Sequence, residues 1–177
     1  MDFELAKILA ALGGFIAAAG VVTHWTLVIV GAVLLYIGLT AYAEQLGGPA
    51  AKRDLLYWLI YVVFASVAYI VAYAAFDVAV WDVRGWWKAL AFSISLVVGV
   101  ASWIAGWVLQ VAAAVRMRSF LDLVANKTGE DVYKIGNKLY WWGSILAIIF
   151  VGHVVLLVAY LVLAVGFLLL KPPGEAK

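Results

Sequence analysis

From Leu55 to Phe76, from Ala89 to Val115 and from Leu139 to Leu170 the chain runs without one Asp, Glu, Lys or Arg. About 20 apolar residues suffice for a helix to cross the roughly 30 Å of bilayer hydrocarbon, where every backbone polar group must find its partner inside the protein. Those runs predict membrane-spanning helices. A water-soluble domain needs a charged shell, and a chain that is 12% charged and 68% hydrophobic does not supply one.

Two more apolar runs open the chain, Leu5–Val22 and Trp25–Tyr42, too long together for one crossing. They read as a tight hairpin with Thr23, His24 and Trp25 at its turn. Ala10, Gly14 and Ala18 on the first run, and Gly31 and Gly38 on the second, are small residues suited to close helix packing. Glu44–Asp54, with Gly47-Gly48-Pro49, reads as a polar loop that stops a helix. The third span, Leu55–Phe76, carries Tyr57, Tyr61, Tyr69 and Tyr73, whose four-residue steps drift around the helix and form two pairs rather than one stripe. Trp81, Trp86 and Trp87 among Asp77, Asp82, Arg84 and Lys88 suit an outer interfacial belt.

The fourth span, Ala89–Val115, carries a small-residue seam at Ser95, Gly99, Ser102 and Gly106, beside a face with Trp103, Trp107 and Gln110. An amide deep in a span is costly against lipid, so Gln110 is expected to point into the bundle, an oligomer interface or a pore. Leu139–Leu170 again exceeds one crossing, and Gly152-His153 is the predicted turn between two short spans. The two ends resemble each other, with Gly13 matching Gly143, His24 matching His153 and Gly38 matching Gly166 when one-residue gaps are allowed. The expected fold is thus all-α: one polytopic membrane domain over residues 1–177, with six spans and a short hairpin at each end.

Arg116–Lys138 is the one long polar interval, with Arg116, Arg118, Lys127, Lys134 and Lys138. Residues 116–138 read as a cytoplasmic amphipathic segment, broken near Asn126 and Gly129, with Thr128 and Asp131 as a capping pair for the next helix. With six spans and both termini inside, Lys7, Lys52, Arg53, Lys171 and Lys177 join these five in the cytoplasm. Only Arg84 and Lys88 are then left outside, which satisfies the positive-inside rule for a multi-pass protein of the cell membrane.

Leu12-Gly13-Gly14 in the first hairpin, and Arg118-Ser119-Phe120 through Lys127-Thr128-Gly129 before the last one, resemble the domain of unknown function 996 family, small multi-span proteins of archaea and some bacteria. The resemblance covers nearly the whole chain and implies a membrane architecture and a prokaryotic source, but no activity and no catalytic residue. Depletion of Asn, Gln, Met and Cys fits a heat-adapted source as well as a lipid-facing chain.

No phosphate-binding loop, dinucleotide fingerprint, zinc-protease helix or nucleophile elbow occurs, so an enzyme is not expected. The basic residues track topology rather than a nucleic-acid surface. Three functions are compatible with the pattern. The leading expectation is a noncatalytic assembly or accessory protein that packs in lipid with itself or with another membrane subunit. The second is a small transporter or channel lined by the Gln110 face. The third is a haem protein with His24 and His153 as axial ligands.

Overall fold

In a computed structural model, residues 2–46, 48–81 and 87–170 are described. The side chains of the expected outer belt, Trp81, Arg84, Trp86, Trp87 and Lys88, lie outside that part. Among the described residues six helices follow one another: α1 (Phe3–Val22), α2 (Trp25–Leu46), α3 (Gly48–Trp81), α4 (Trp87–Thr128), α5 (Asp131–Leu146) and α6 (Phe150–Leu168). Five of them, α1 to α4 and α6, are long and apolar enough to cross a membrane, whereas α5 has only 16 residues. Every helix packs on its neighbours in sequence and α1 packs on α6, so the six close into a ring. Its interior is filled by fully buried side chains, among them Leu35, Trp58, Met117, Tyr140, Tyr160 and Phe167.

The hairpins are tight because their contact residues lack side chains. A Cβ on Gly13 would land on the backbone of Gly31 and Leu35, and one on Gly31 would land on that of Gly13 and Ala17. Gly38 lies in the same way against Ala6 and Ala10. In the last hairpin Gly143 abuts Leu156, and Gly166 abuts Tyr133 and Val132. Gly13 and Gly38 in the first hairpin, and Gly143 and Gly166 in the last, thus all face the partner helix, although Gly13 lies nine residues before the end of α1 and Gly143 three before the end of α5. Gly14 against Ala164 closes the ring between them.

Three boundaries differ from the sequence expectation. The last hairpin turns at Ala147–Ile149, and Gly152-His153 falls inside the first turn of α6. Gly152 sits against the backbone of Leu146 and Ala147, so it allows the turn without forming it. In place of a loop over Glu44–Asp54, α2 runs to Leu46 and α3 starts at Gly48, whose φ of 59° makes the break, with Pro49 following where a missing N–H costs nothing. Thr128 does not cap α5: its hydroxyl donates to Val124 O at 2.9 Å, ending α4, and Gly129 at φ 73° starts the connection.

Length sets α3 and α4 apart. At 34 and 42 residues they run about 51 and 63 Å, against about 30 Å for α1. The α1–α2 turn reaches only to Tyr69, on which Trp25 stacks with ring centroids 4.3 Å apart. The α5–α6 turn reaches only to Trp103, whose indole N–H donates to Ile148 O at 3.2 Å. Beyond those levels α3 and α4 continue as a pair, with Gly99 making room for the ring of Phe76. Leu90, Phe92, Ile94, Val97, Val98 and Val100 there are all exposed, covering α4 on nearly every side.

Candidate functional site

Polar groups inside this apolar ring collect in two places. The first is a buried network at mid-bundle. Trp58 on α3 donates its indole N–H to the Tyr140 hydroxyl on α5 at 3.0 Å. Gln110 on α4 donates to the same hydroxyl at 3.3 Å and to Ser144 Oγ at 3.4 Å, and the Tyr140 and Tyr160 hydroxyls lie 3.4 Å apart. Four helices are thereby tied through one oxygen, and the Gln110 amide is spent inside the chain. The seam expected beside it also faces inward where the structure defines it. Gly99 receives Phe76, and Gly106 lies against Tyr69 and the Ala65 carbonyl. Ser95 and Ser102 are half-buried on the same helix.

The second place is a recess of about 480 Å³ above the two short turns, lined among others by Thr23, His24, Trp25, Tyr73, Asp77 and His153. It brings together the two histidines that lie far apart in the chain. They differ in surroundings. His24 is exposed, and its Nδ1 lies 2.8 Å from the Thr26 hydroxyl. His153 is 2% exposed; no side chain partners either of its ring nitrogens, and backbone groups of Ile149 and Phe150, one turn back, lie beside the ring. Four aromatic rings surround it, Trp25 at 5.4 Å, Trp103 at 5.5 Å, Tyr69 at 5.7 Å and Phe150 at 6.0 Å between centroids. The Tyr69 hydroxyl is buried and unpartnered. Nothing local in the sequence pointed to Tyr69 or Trp103 as neighbours of His153, because they come from α3 and α4. Among the described residues no group of three His, Cys, Asp or Glu could hold a metal ion.

The opposite end of the bundle is charged. Arg116 pairs with Asp54 at 3.3 Å and lies over the Tyr57 ring, while Asn137 donates to Asp122 at 2.7 Å. Lys52 pairs with Glu44. Lys134 donates to Asp131 at 2.9 Å, which holds that exposed carboxyl below the usual range. A cleft of about 430 Å³ opens there between Arg118, Lys138, Trp141 and Trp142. Positive charge beside exposed indole is the chemistry of a membrane interface facing anionic headgroups.

Residues 27–161 match the family described as "Protein of unknown function (DUF996)". The chain is also 25% identical over 171 residues to an uncharacterized protein of Methanocaldococcus jannaschii, covering 94% of this chain and 92% of that protein. No solved structure matches it.

Proposed function

We propose that this chain, which belongs to the DUF996 family of proteins of unknown function, is a noncatalytic membrane assembly protein that packs with a second copy of itself through the outer half of its α3–α4 pair. The observation that carries this reading is the half-helix left bare beyond the ring. Along α4 the exposed residues Ser93, Val97, Ala101 and Ala105 follow one another at four-residue steps. That row lies on the side away from the inward-facing glycines. Small residues in such a row let two helices approach closely where lipid supplies no hydrophobic drive, and a two-fold axis would let the same row meet itself. The Gln110 network speaks against a pore along the bundle axis, since its polar groups satisfy one another among fully buried side chains.

The chain has no cysteine, so a single introduced one reports cleanly. Ala101→Cys and Ala105→Cys are expected to form disulfide-linked dimers on mild oxidation of native membranes, while Val158→Cys, exposed on α6, stays monomeric. If neither α4 variant cross-links and the purified protein has the mass of one chain, self-assembly is wrong.

In this reading the charged end lies in the cytoplasm with both termini, and the two short hairpins turn back inside the bilayer. Trp103, at the level of the α5–α6 turn, stands about 20 Å along α4 from Arg116 and about 21 Å from Ala89, in the middle of the apolar run. The turn residues Ile148 and Ile149, and Phe150 and Val151 that open α6, are apolar and exposed. A helix end in hydrocarbon must have its last carbonyls satisfied, and Trp107 and Trp103 donate to Ile145 O at 2.9 Å and Ile148 O at 3.2 Å. Ile148→Cys should therefore resist a membrane-impermeant maleimide added to either side of the membrane, whereas Asp77→Cys reacts from the outside. Ready labelling of Ile148→Cys from outside would mean that α5 and α6 each cross completely.

A further inference from the structure

Buried polar atoms are almost always hydrogen-bonded, because leaving one unpaired forfeits about 1–3 kcal/mol of solvation. Around the recess that rule is strained at two side chains in ring contact: the buried hydroxyl of Tyr69 is unpartnered, and His153, which lines the recess, has no side-chain partner at either nitrogen. Ser66, one turn below Tyr69 on α3, has an unpartnered hydroxyl as well. Elsewhere in the bundle the same residue types are paired, as Tyr140, Tyr160 and Tyr133 show. Of His153, Tyr69 and Ser66, the histidine is the one that lines the recess, and a further unpartnered oxygen, Asn137 Oδ1, lies at the charged end.

From this arrangement we infer that the recess binds the headgroup of a membrane-soluble amphiphile: a neutral, flat, carbonyl-bearing ring on an apolar tail, the chemistry of an isoprenoid quinone. The walls select for it. The Tyr73 phenol and the His153 imidazole, both on the lining, can each donate a proton, which a carbonyl oxygen accepts, and Trp25 and Phe150 offer aromatic surface to a flat ring. The lip is apolar and open to lipid, with Val22 56%, Val154 48% and Phe150 73% exposed. A tail can leave there directly into hydrocarbon. An anionic phosphate headgroup is a poor match, since the one charged residue among the described lining is Asp77. Haem fits poorly too. Of the two histidines that would have to bracket its iron, His153 packs among four aromatic rings, with centroids within 6.0 Å. His24 is turned to its own neighbour Thr26.

The inference does not depend on self-assembly and is tested on the full chain purified in mild detergent. Decylubiquinone, a benzoquinone with a ten-carbon tail, is titrated while the melting temperature is followed, with decylbenzene as the tail-only control. The quinone should raise the melting temperature and saturate at one per chain, and decylbenzene should not. His153→Leu should weaken quinone binding at least tenfold. Leucine fills a similar volume among the same aromatic rings, so the ligand-free melting temperature should fall by no more than a few degrees. Should that variant fail to fold, Val154→Trp fills the mouth from an exposed position and should abolish the quinone response with the imidazole intact. Equal stabilisation by decylbenzene, or no response to quinone, overturns the inference. So does a Soret band in the purified protein that disappears in His153→Leu, which would establish haem instead.

Discussion

Gly31→Val is expected to leave no monodisperse folded protein. The first carbon added at that position meets backbone atoms of Gly13 and Ala17, which no rotamer change can move aside, so α1 and α2 must separate along their whole contact. Overpacking that flexible side chains can absorb costs about 1–3 kcal/mol. Here the cost exceeds that range and is large against a total stability of about 5–15 kcal/mol. Gly48→Ala provides the contrast. Its Cβ would meet nothing within 4 Å, and the penalty is only that of holding a left-handed residue at φ 59°, about 1–2 kcal/mol. Gel filtration and melting curves in the same detergent separate the two, with Gly48→Ala eluting as wild type and melting a few degrees lower. Wild-type melting for Gly31→Val would show that the hairpin is not packed as described.

Tyr140→Phe should cost far more than Tyr160→Phe, although each deletes one buried hydroxyl. The Tyr140 oxygen serves Trp58, Gln110 and Tyr160 together, so its loss strands an indole N–H and weakens the anchoring of the amide. At about 1–3 kcal/mol per stranded group, Tyr140→Phe is expected to lose about 2–4 kcal/mol. Tyr160→Phe removes only the long 3.4 Å contact and should lose about 1 kcal/mol or less. Gln110→Leu on the Tyr140→Phe background should cost less than it does alone, which a double-mutant cycle measures. Equal losses for the two tyrosines would mean that the hydroxyl is not the hub of four helices.

Much of this architecture is legible along the chain because bilayer thickness converts run length into helix number. The paired runs at each end read as hairpins, and glycines face the partner helix in both. Gln110 was readable as an inward-facing amide, since lipid offers it nothing. Its partners were not, because Trp58, Tyr140 and Ser144 come from two other helices and no local spacing joins them. The α5–α6 turn was misplaced for a similar reason. Residues Ala147–Ile149 carry no glycine, proline or polar signal, and the donors that satisfy the turn lie about forty residues upstream in Trp103 and Trp107. Gly152 drew the prediction past the turn because glycine marks either a bend or a close approach, and here it is the second. The histidine pair was visible as two residues, but the aromatic surround that distinguishes His153 from His24 exists only after folding.

Ring closure also has a consequence for how the protein is made. On its free flank α1, the earliest of the six helices to be made, packs on α6, the latest of them. The α1–α2 hairpin can form early, since its contacts are local, but the face around Gly14 waits for Ala164 until the other five helices have been made. For that interval a half-built bundle presents an unsealed side to the translocation machinery and to other nascent chains. A molecule truncated before α6 should therefore be a substrate for membrane quality control, however well its first four helices have assembled.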